Sequence, residues 1–174
     1  MNFIQYLAKL NKILLRVAGW GVIVGMLLIS IVVPYGVIGR YILNDAPIWA
    51  SEVTIFSLVW VTMLGAAVGL PKGYQIGMTA VLEKLPPKVS RWVAIFGSFL
   101  SLAILAIVAV MGVKQTLYNV VQTSPALEIS MAIPYLAIPL GTFLMCLVTV
   151  ERILKDIFNP KEEVIIDAPV TETT

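Results

Sequence analysis

The chain alternates between long stretches without a single charge and short stretches that hold all of them. Residues 17–39, 53–71, 92–113 and 129–150 contain no Asp, Glu, Lys or Arg, in windows of 23, 19, 22 and 22 residues. A helix rising 1.5 Å per residue needs about 20 residues to cross a hydrocarbon core of roughly 30 Å. Each window meets that length, and none carries the polar face of a helix buried in a soluble protein. The pattern predicts an all-α integral membrane protein of four transmembrane helices. Two further stretches read as short amphipathic helices lying at the interface. In residues 3–15, Phe3, Leu7, Leu10 and Leu14 repeat at helical spacing with Lys9 and Lys12 off the stripe. In residues 75–85, Gln75, Thr79 and Glu83 run beside an apolar stripe of Met78, Val81, Leu82 and Leu85, and Pro86-Pro87 stops the pattern. Residues 1–158 are thus expected to form one transmembrane domain. Residues 159–174, acidic and with two prolines, are expected to be a disordered cytoplasmic tail.

Charge sets the orientation. Lys and Arg in short loops mark the cytoplasmic side. With both termini inside, ten fall on that side: Lys9, Lys12, Arg16, Lys72, Lys84, Lys88, Arg91, Arg152, Lys155 and Lys161. Only Arg40 and Lys114 fall outside. An N-in, C-in arrangement follows. The first window is read as a retained helix rather than a cleaved leader, because it is too long and no small-residue cleavage site follows it.

Composition narrows the function. The chain is 59% hydrophobic and 13% charged, with a mean hydropathy of +0.94. That is too little charge to cover a soluble surface. The net charge of +2 gives no reason to expect nucleic acid. There is no histidine, which removes His-ligated haem, most zinc sites and His-based acid–base chemistry. The lone Cys146 reads as a small apolar residue. We therefore expect no catalytic, cofactor or metal residues and no enzyme activity.

The uncharged windows carry packing devices instead. Gly21 and Gly25, and Gly65 and Gly69, form G-x-x-x-G pairs, with Gly97 and Ser101 a variant. Such pairs let helix backbones approach closely in lipid. Ser30, Ser57, Thr62, Ser98, Ser101, Thr142 and Thr149 are expected to hydrogen-bond between helices. Pro34, Pro134 and Pro139 read as kinks. Trp20, Trp49 and Trp92 suit an interfacial belt. Trp60 lies eight residues past Glu52, roughly 12 Å further along a helix, and reads as a packing residue. Arg40 and Glu52 are placed near the periplasmic surface, at the end of helix one and the start of helix two. There they either mark membrane boundaries or form an ion pair, with each other or with a partner.

Three stretches in order then resemble one family. The first is Gly39-Arg40-Tyr41 followed by Trp49-Ala50-Ser51-Glu52. The second is Trp60, Leu64-Gly65-Ala66-Ala67, Lys72-Gly73 and Gln75-Ile76. The third is Gln122-Thr123-Ser124-Pro125-Ala126-Leu127, then Ile133-Pro134-Tyr135 and Pro139. Over about residues 10 to 158 the chain resembles the small, Q-type membrane subunit of tripartite ATP-independent periplasmic (TRAP) transporters. It departs from the family's pattern at Ser51, Gln75 and Thr79, where many relatives carry an acidic residue, a histidine and an acidic residue. The resemblance implies a non-catalytic scaffold in the bacterial inner membrane. It would pack as a heterodimer beside a large, elevator-type membrane subunit that imports organic acids with sodium, fed by a periplasmic substrate-binding protein. Arg40, Trp49, Glu52, Trp60, Gly65, Gly69, Gln122, Ser124 and Pro125 become candidate interface or packing residues, with membrane lipid as the other partner. The competing reading is a small homo-oligomeric channel or efflux-type protein, since uncharged helices can line a pore.

Overall fold

A computed structural model describes the backbone of residues 2–43, 47–82 and 87–158, and the side chains of 4–43, 47–71, 89, 92–155 and 157. Five helices follow one another: α1 (Asn2–Tyr41), α2 (Ile48–Leu82), α3 (Pro87–Tyr118), the short α4 (Ala132–Tyr135) and α5 (Ala137–Phe158). Four apolar helical spans among them are long enough to cross a membrane, with α4 and α5 together supplying the last. The four-span, all-α reading therefore holds.

Element boundaries differ from the expected ones, each for a local reason. Residues 3–15 are not a separate interfacial element but the first turns of a 40-residue α1. Nothing between Leu14 and Ala18 breaks a helix, so the polar and apolar parts propagate as one. Residues 75–82 likewise continue α2, which runs through Pro71 to Leu82. The remainder of that amphipathic stretch, Glu83 to Leu85, and the tail 159–174 lie outside the described residues, as do the side chains of Gln75 and Thr79. Helix two starts at Ile48, directly after Pro47, so Glu52 sits in its second turn rather than at its N-terminus. The last span is divided at Leu136. Pro139 has no N–H to give the carbonyl of Tyr135, its i−4 partner, and its ring crowds that carbonyl.

The helices form an open layer more than a closed bundle. Helix α1 packs along α2, α5 touches α1, α2 and α3, and α3 makes no contact with α1 among the described residues. Small residues set the distances. Ala18, Ala50, Ala67 and Ala137 are buried, whereas the large apolar side chains of α1 and α3 mostly face outward, as lipid contact requires. A Cβ on Gly25 would lie 2.5 Å from Cγ2 of Val61, so α1 and α2 nearly touch there. A Cβ on Gly141 would meet Met63 Cβ at 2.8 Å and the Met63 carbonyl oxygen at 3.0 Å, which places α5 against the backbone of α2. Gly112 meets Ile138 and Pro139 in the same way, joining α3 to α5.

Two expected packing devices behave otherwise. Beyond Gly65 the nearest atom to an added Cβ is Cγ2 of Val22 at 4.0 Å, and beyond Gly69 no atom of the described residues lies within 4 Å. Gly65 thus faces Val22 of α1 only at ordinary van der Waals distance, whereas Gly21 and Gly25 make the tight approach between α1 and α2. The hydroxyls of Ser30, Thr62, Thr142 and Thr149 donate to carbonyls four residues back in their own helices, at 2.7–2.8 Å, not across helices. A carbonyl one turn away is always in reach, so the local bond forms first. Ser98 is fully buried, and its hydroxyl has no partner among the described residues.

Candidate functional site

The segment between α3 and α4 is the most tightly organised part of the chain outside the helices. Thr123 and Ser130 pair as an isolated antiparallel bridge. The Met131 amide donates to the Gln122 carbonyl at 2.8 Å and the Ser124 amide to the Ile129 carbonyl at 2.9 Å. Inside this small hairpin, Ser124 to Glu128 make a single helix-like turn, closed by the Glu128 amide on the Ser124 carbonyl at 3.2 Å. Glu128 leaves that turn with φ 54°, the left-handed conformation that returns the chain to Ile129.

The local sequence explains the turn. Ser124-Pro125 is the pairing that opens helices: serine in the capping position, proline in the first helical one with φ already fixed. A turn of this kind exposes amide hydrogens that no carbonyl precedes to accept. Proline has none, so the first two free donors are Ala126 and Leu127. Ordinarily the serine hydroxyl would take one of them. Here a carboxylate from another helix does. Glu52 Oε1 accepts from the Ala126 amide at 2.9 Å, and Oε2 from the Leu127 amide at 3.0 Å. Two successive N–H groups facing one anion form a charge-assisted cradle. The displaced Ser124 hydroxyl, only 2% exposed, lies against the same carboxylate without completing a well-formed hydrogen bond.

The candidate residues divide accordingly. Glu52, Ser124 and Pro125 come together, and Gln122 closes the hairpin through its backbone. Arg40 does not join them. It sits in the last turn of α1, where a cation suits the helix dipole, and forms no ion pair among the described residues. The direct Arg40–Glu52 pair is therefore not formed, since both Glu52 oxygens are occupied by amides. Trp49 stacks instead on Tyr35 of α1, with ring centroids 5.6 Å apart and an interplanar angle of 34°. Trp60 is half-buried, whereas Trp20, Trp49 and Trp92 are exposed. Gly65 and Gly69 lie away from this region, along α2.

A second polar link at the opposite end of the bundle went unseen in the sequence. Asn11, 3% exposed, donates to the Leu147 carbonyl at 3.2 Å and to Glu151 Oε2 at 2.6 Å. Glu151 Oε1 in turn pairs with Lys155 Nζ at 2.9 Å. Asn11 could have been suspected as the amide on the inner face of an otherwise apolar and basic amphipathic stretch.

Comparison with known proteins bears on the same segments. The sequence profile described as "Tripartite ATP-independent periplasmic transporters, DctQ component" matches residues 29–159, a range that holds both the Glu52 helix and the hairpin it binds. The chain belongs to the DctQ family. It is 35% identical over 101 residues to a C4-dicarboxylate TRAP transporter small permease protein DctQ of Rhodobacter capsulatus, covering 57% of this chain and 44% of that protein. It is 27% identical over 143 residues to an isethionate TRAP transporter permease protein DctMQ of Oleidesulfovibrio alaskensis, covering 78% of this chain and 22% of that protein. A DctQ of Vibrio cholerae is 32% identical over 59 residues, 34% of this chain and 25% of its own. The matched stretches thus span less than half the length of each of these relatives. The chain thus combines four apolar spans with membership of a family described as a transporter component, and the relatives it matches are named as permease proteins.

Proposed function

We propose that this chain is the static, non-catalytic scaffold of a TRAP-type secondary transporter in the bacterial inner membrane. The observation that carries the reading is the use made of Glu52. A carboxylate at the end of a membrane helix can simply face water, so one held by protein donors instead has a structural use. This one has each oxygen bound to a backbone amide of a turn 74 or 75 residues away, so its charge is spent on holding α2 to the α3–α4 connection. The Asn11–Glu151–Lys155 link does the same work between α1 and α5. A chain that commits its polar groups to internal fastening suits a fixed body. The moving parts, the sodium sites and the organic-acid site then belong to a large membrane subunit packed against it, fed by a periplasmic binding protein. Both termini face the cytoplasm in this arrangement, which puts the hairpin on the periplasmic side. The DctMQ name of one relative, which joins the Q designation with another in a single permease, accords with so close an association.

The test is reconstitution into liposomes of this chain alone, of its large partner alone, and of both, with the binding protein supplied. Sodium-driven uptake of an organic acid is expected only from the pair. Uptake by this chain alone overturns the scaffold reading, as does undiminished uptake by the partner alone. A symmetric homo-oligomer on purification, without a second hydrophobic chain, would favour the channel reading instead.

A further inference from the structure

Where α1 and α2 diverge toward their shared loop, a cleft of about 360 Å³ opens between them. Its depth comes from missing side chains: Gly36 on α1 faces Ala50 on α2, and an added Cβ on Gly36 would stand 3.5 Å from that of Ala50. Its walls are apolar, from Val33 and Val37 on one helix and Ile55 on the other. Its rim carries Arg40 and Tyr41. Of the three hydroxyls in the lining, those of Ser51 and Thr54 already donate to the carbonyls of Ile48 and Ala50, and that of Tyr41 stands at the rim. Among the described residues of the lining the guanidinium is the one charged donor, and Glu52 does not pair with it, being turned to the hairpin.

We propose that this cleft binds one anionic phospholipid, with the phosphate on Arg40 and the start of one acyl chain between Val33, Val37 and Ile55. The ligand must be an anion with an apolar body. Arg40 and Val33 are seven residues apart on one helix, roughly 10 Å along its axis, so the charge sits at one end of an apolar trough that long. A free phosphate or small organic acid would leave the trough empty. A phospholipid has the matching polarity, the matching length and constant access from the bilayer, because the outward side chains of this part of α1, including Val33, Val37 and Tyr41, are exposed. The planar guanidinium bonds phosphate oxygens in pairs, and Tyr41 supplies a further donor at headgroup level. Placement in the membrane is all the proposal requires; it stands whether or not the scaffold reading does.

Native mass spectrometry of the purified membrane complex, exchanged into micelles doped with phosphatidylglycerol or phosphatidylcholine, measures the retained lipid directly and independently of uptake. The native complex should retain phosphatidylglycerol in preference, by roughly five-fold for a single cation near the surface. R40Q should abolish that preference, and R40K should keep part of it as a point charge. G36L should lower retention of both lipids by filling the trough. Equal retention by native and R40Q complexes overturns the proposal. So does unchanged retention in G36L, or displacement of the lipid by inorganic phosphate alone. Loss of a protein subunit from R40Q with lipid retention unaltered assigns the cleft to a protein partner and overturns it too.

Discussion

Gly141 offers the sharpest test of how this membrane body holds together. Replacing it by alanine adds one methyl group, and the structure states what that methyl meets: Met63 Cβ at 2.8 Å, the Met63 carbonyl oxygen at 3.0 Å and its carbonyl carbon at 3.1 Å. Two of the three are backbone, so no rotamer change relieves them, and α5 must move away from α2. Overpacking of this kind costs about 1–3 kcal/mol. That range raises the population of locally opened states roughly 5- to 150-fold. The same substitution at Gly65 finds its nearest neighbour at 4.0 Å and replaces a poor helix former with a good one, a gain of up to about 1 kcal/mol. The chain carries its own probe, because Cys146 lies five residues beyond Gly141 on α5 and is its sole cysteine. Cys146 is half-buried, so its labelling by a membrane-permeant maleimide in detergent, at fixed pH, reads the added exposure when α5 moves off α2. Gly141→Ala should accelerate labelling, and Gly65→Ala should leave it unchanged or slow it. If Gly141→Ala labels like the parent while Gly65→Ala labels faster, the close approach of α5 to α2 is not what stabilises the body.

Other changes probe the polar fastenings and the orientation. Glu52→Gln keeps the side-chain shape but replaces one acceptor oxygen with a donor and removes the charge. The Ala126 and Leu127 amides should then lose hydrogen-exchange protection while the α1–α2 amides keep theirs; retained protection at both would disprove the cradle. Asn11→Ala removes two bonds between α1 and α5, one to a carboxylate, and should cost about 1–3 kcal/mol, read as easier SDS unfolding of the reconstituted chain. Glu128→Gly should be tolerated or stabilising by about 1 kcal/mol, because φ 54° carries a penalty for any residue with a Cβ. In a Cys146→Ser background, a cysteine at Thr123 should react with an impermeant reagent added outside intact cells and one at Lys88 should not. The opposite pattern would invert the proposed orientation.

The four spans were legible because lipid enforces a one-dimensional rule: about 20 residues without a charge must cross, and helices are the only form that leaves no backbone group bare. The same rule misplaces boundaries. It takes the first charge as the membrane's edge, and so it begins helix two after Glu52, whereas the helix begins at Ile48. A charge need not end a span when two amides receive it. The packing map was half legible. G-x-x-x-G spacing picked out Gly21 and Gly25 correctly but gave equal weight to Gly65 and Gly69, and it passed over Gly112 and Gly141, which stand alone in sequence and matter most in contact. Spacing says that a surface is smooth; only the fold says what lies opposite. Glu52, Ser124 and Pro125 were each singled out for resemblance to a family, yet nothing in the chain announces that a residue in the second turn of α2 caps a turn beyond α3. That pairing is made by topology.

The placement of the two fastenings follows from the solvent. Between apolar helices in lipid there is no hydrophobic gain from association, because the displaced acyl chains are as apolar as the side chains. Close contact at Gly25, Gly112 and Gly141 supplies dispersion along the middle of the bundle, but dispersion alone fixes neither tilt nor register sharply. Directional bonds do. Asn11 to Glu151 ties α1 to α5 at one end, and Glu52 to the 126–127 amides ties α2 to the α3–α4 connection at the other. Every long helix is thereby joined, directly or through its connecting hairpin, to one polar fastening, and the two fastenings lie at opposite ends. Sliding one helix past its neighbour by a single turn, about 5.4 Å, would break whichever fastening it holds and strand a carboxylate at the membrane's edge. A body fastened in this way resists the shear that an adjoining moving domain would impose. On the proposed scaffold role, loosening either end should reduce transport by the assembled complex before it reduces the amount of complex assembled. Glu52→Gln and Asn11→Ala, each purified with the partner subunit and assayed for uptake per complex, decide this. Loss of assembly with normal specific uptake would show that the fastenings serve only biogenesis.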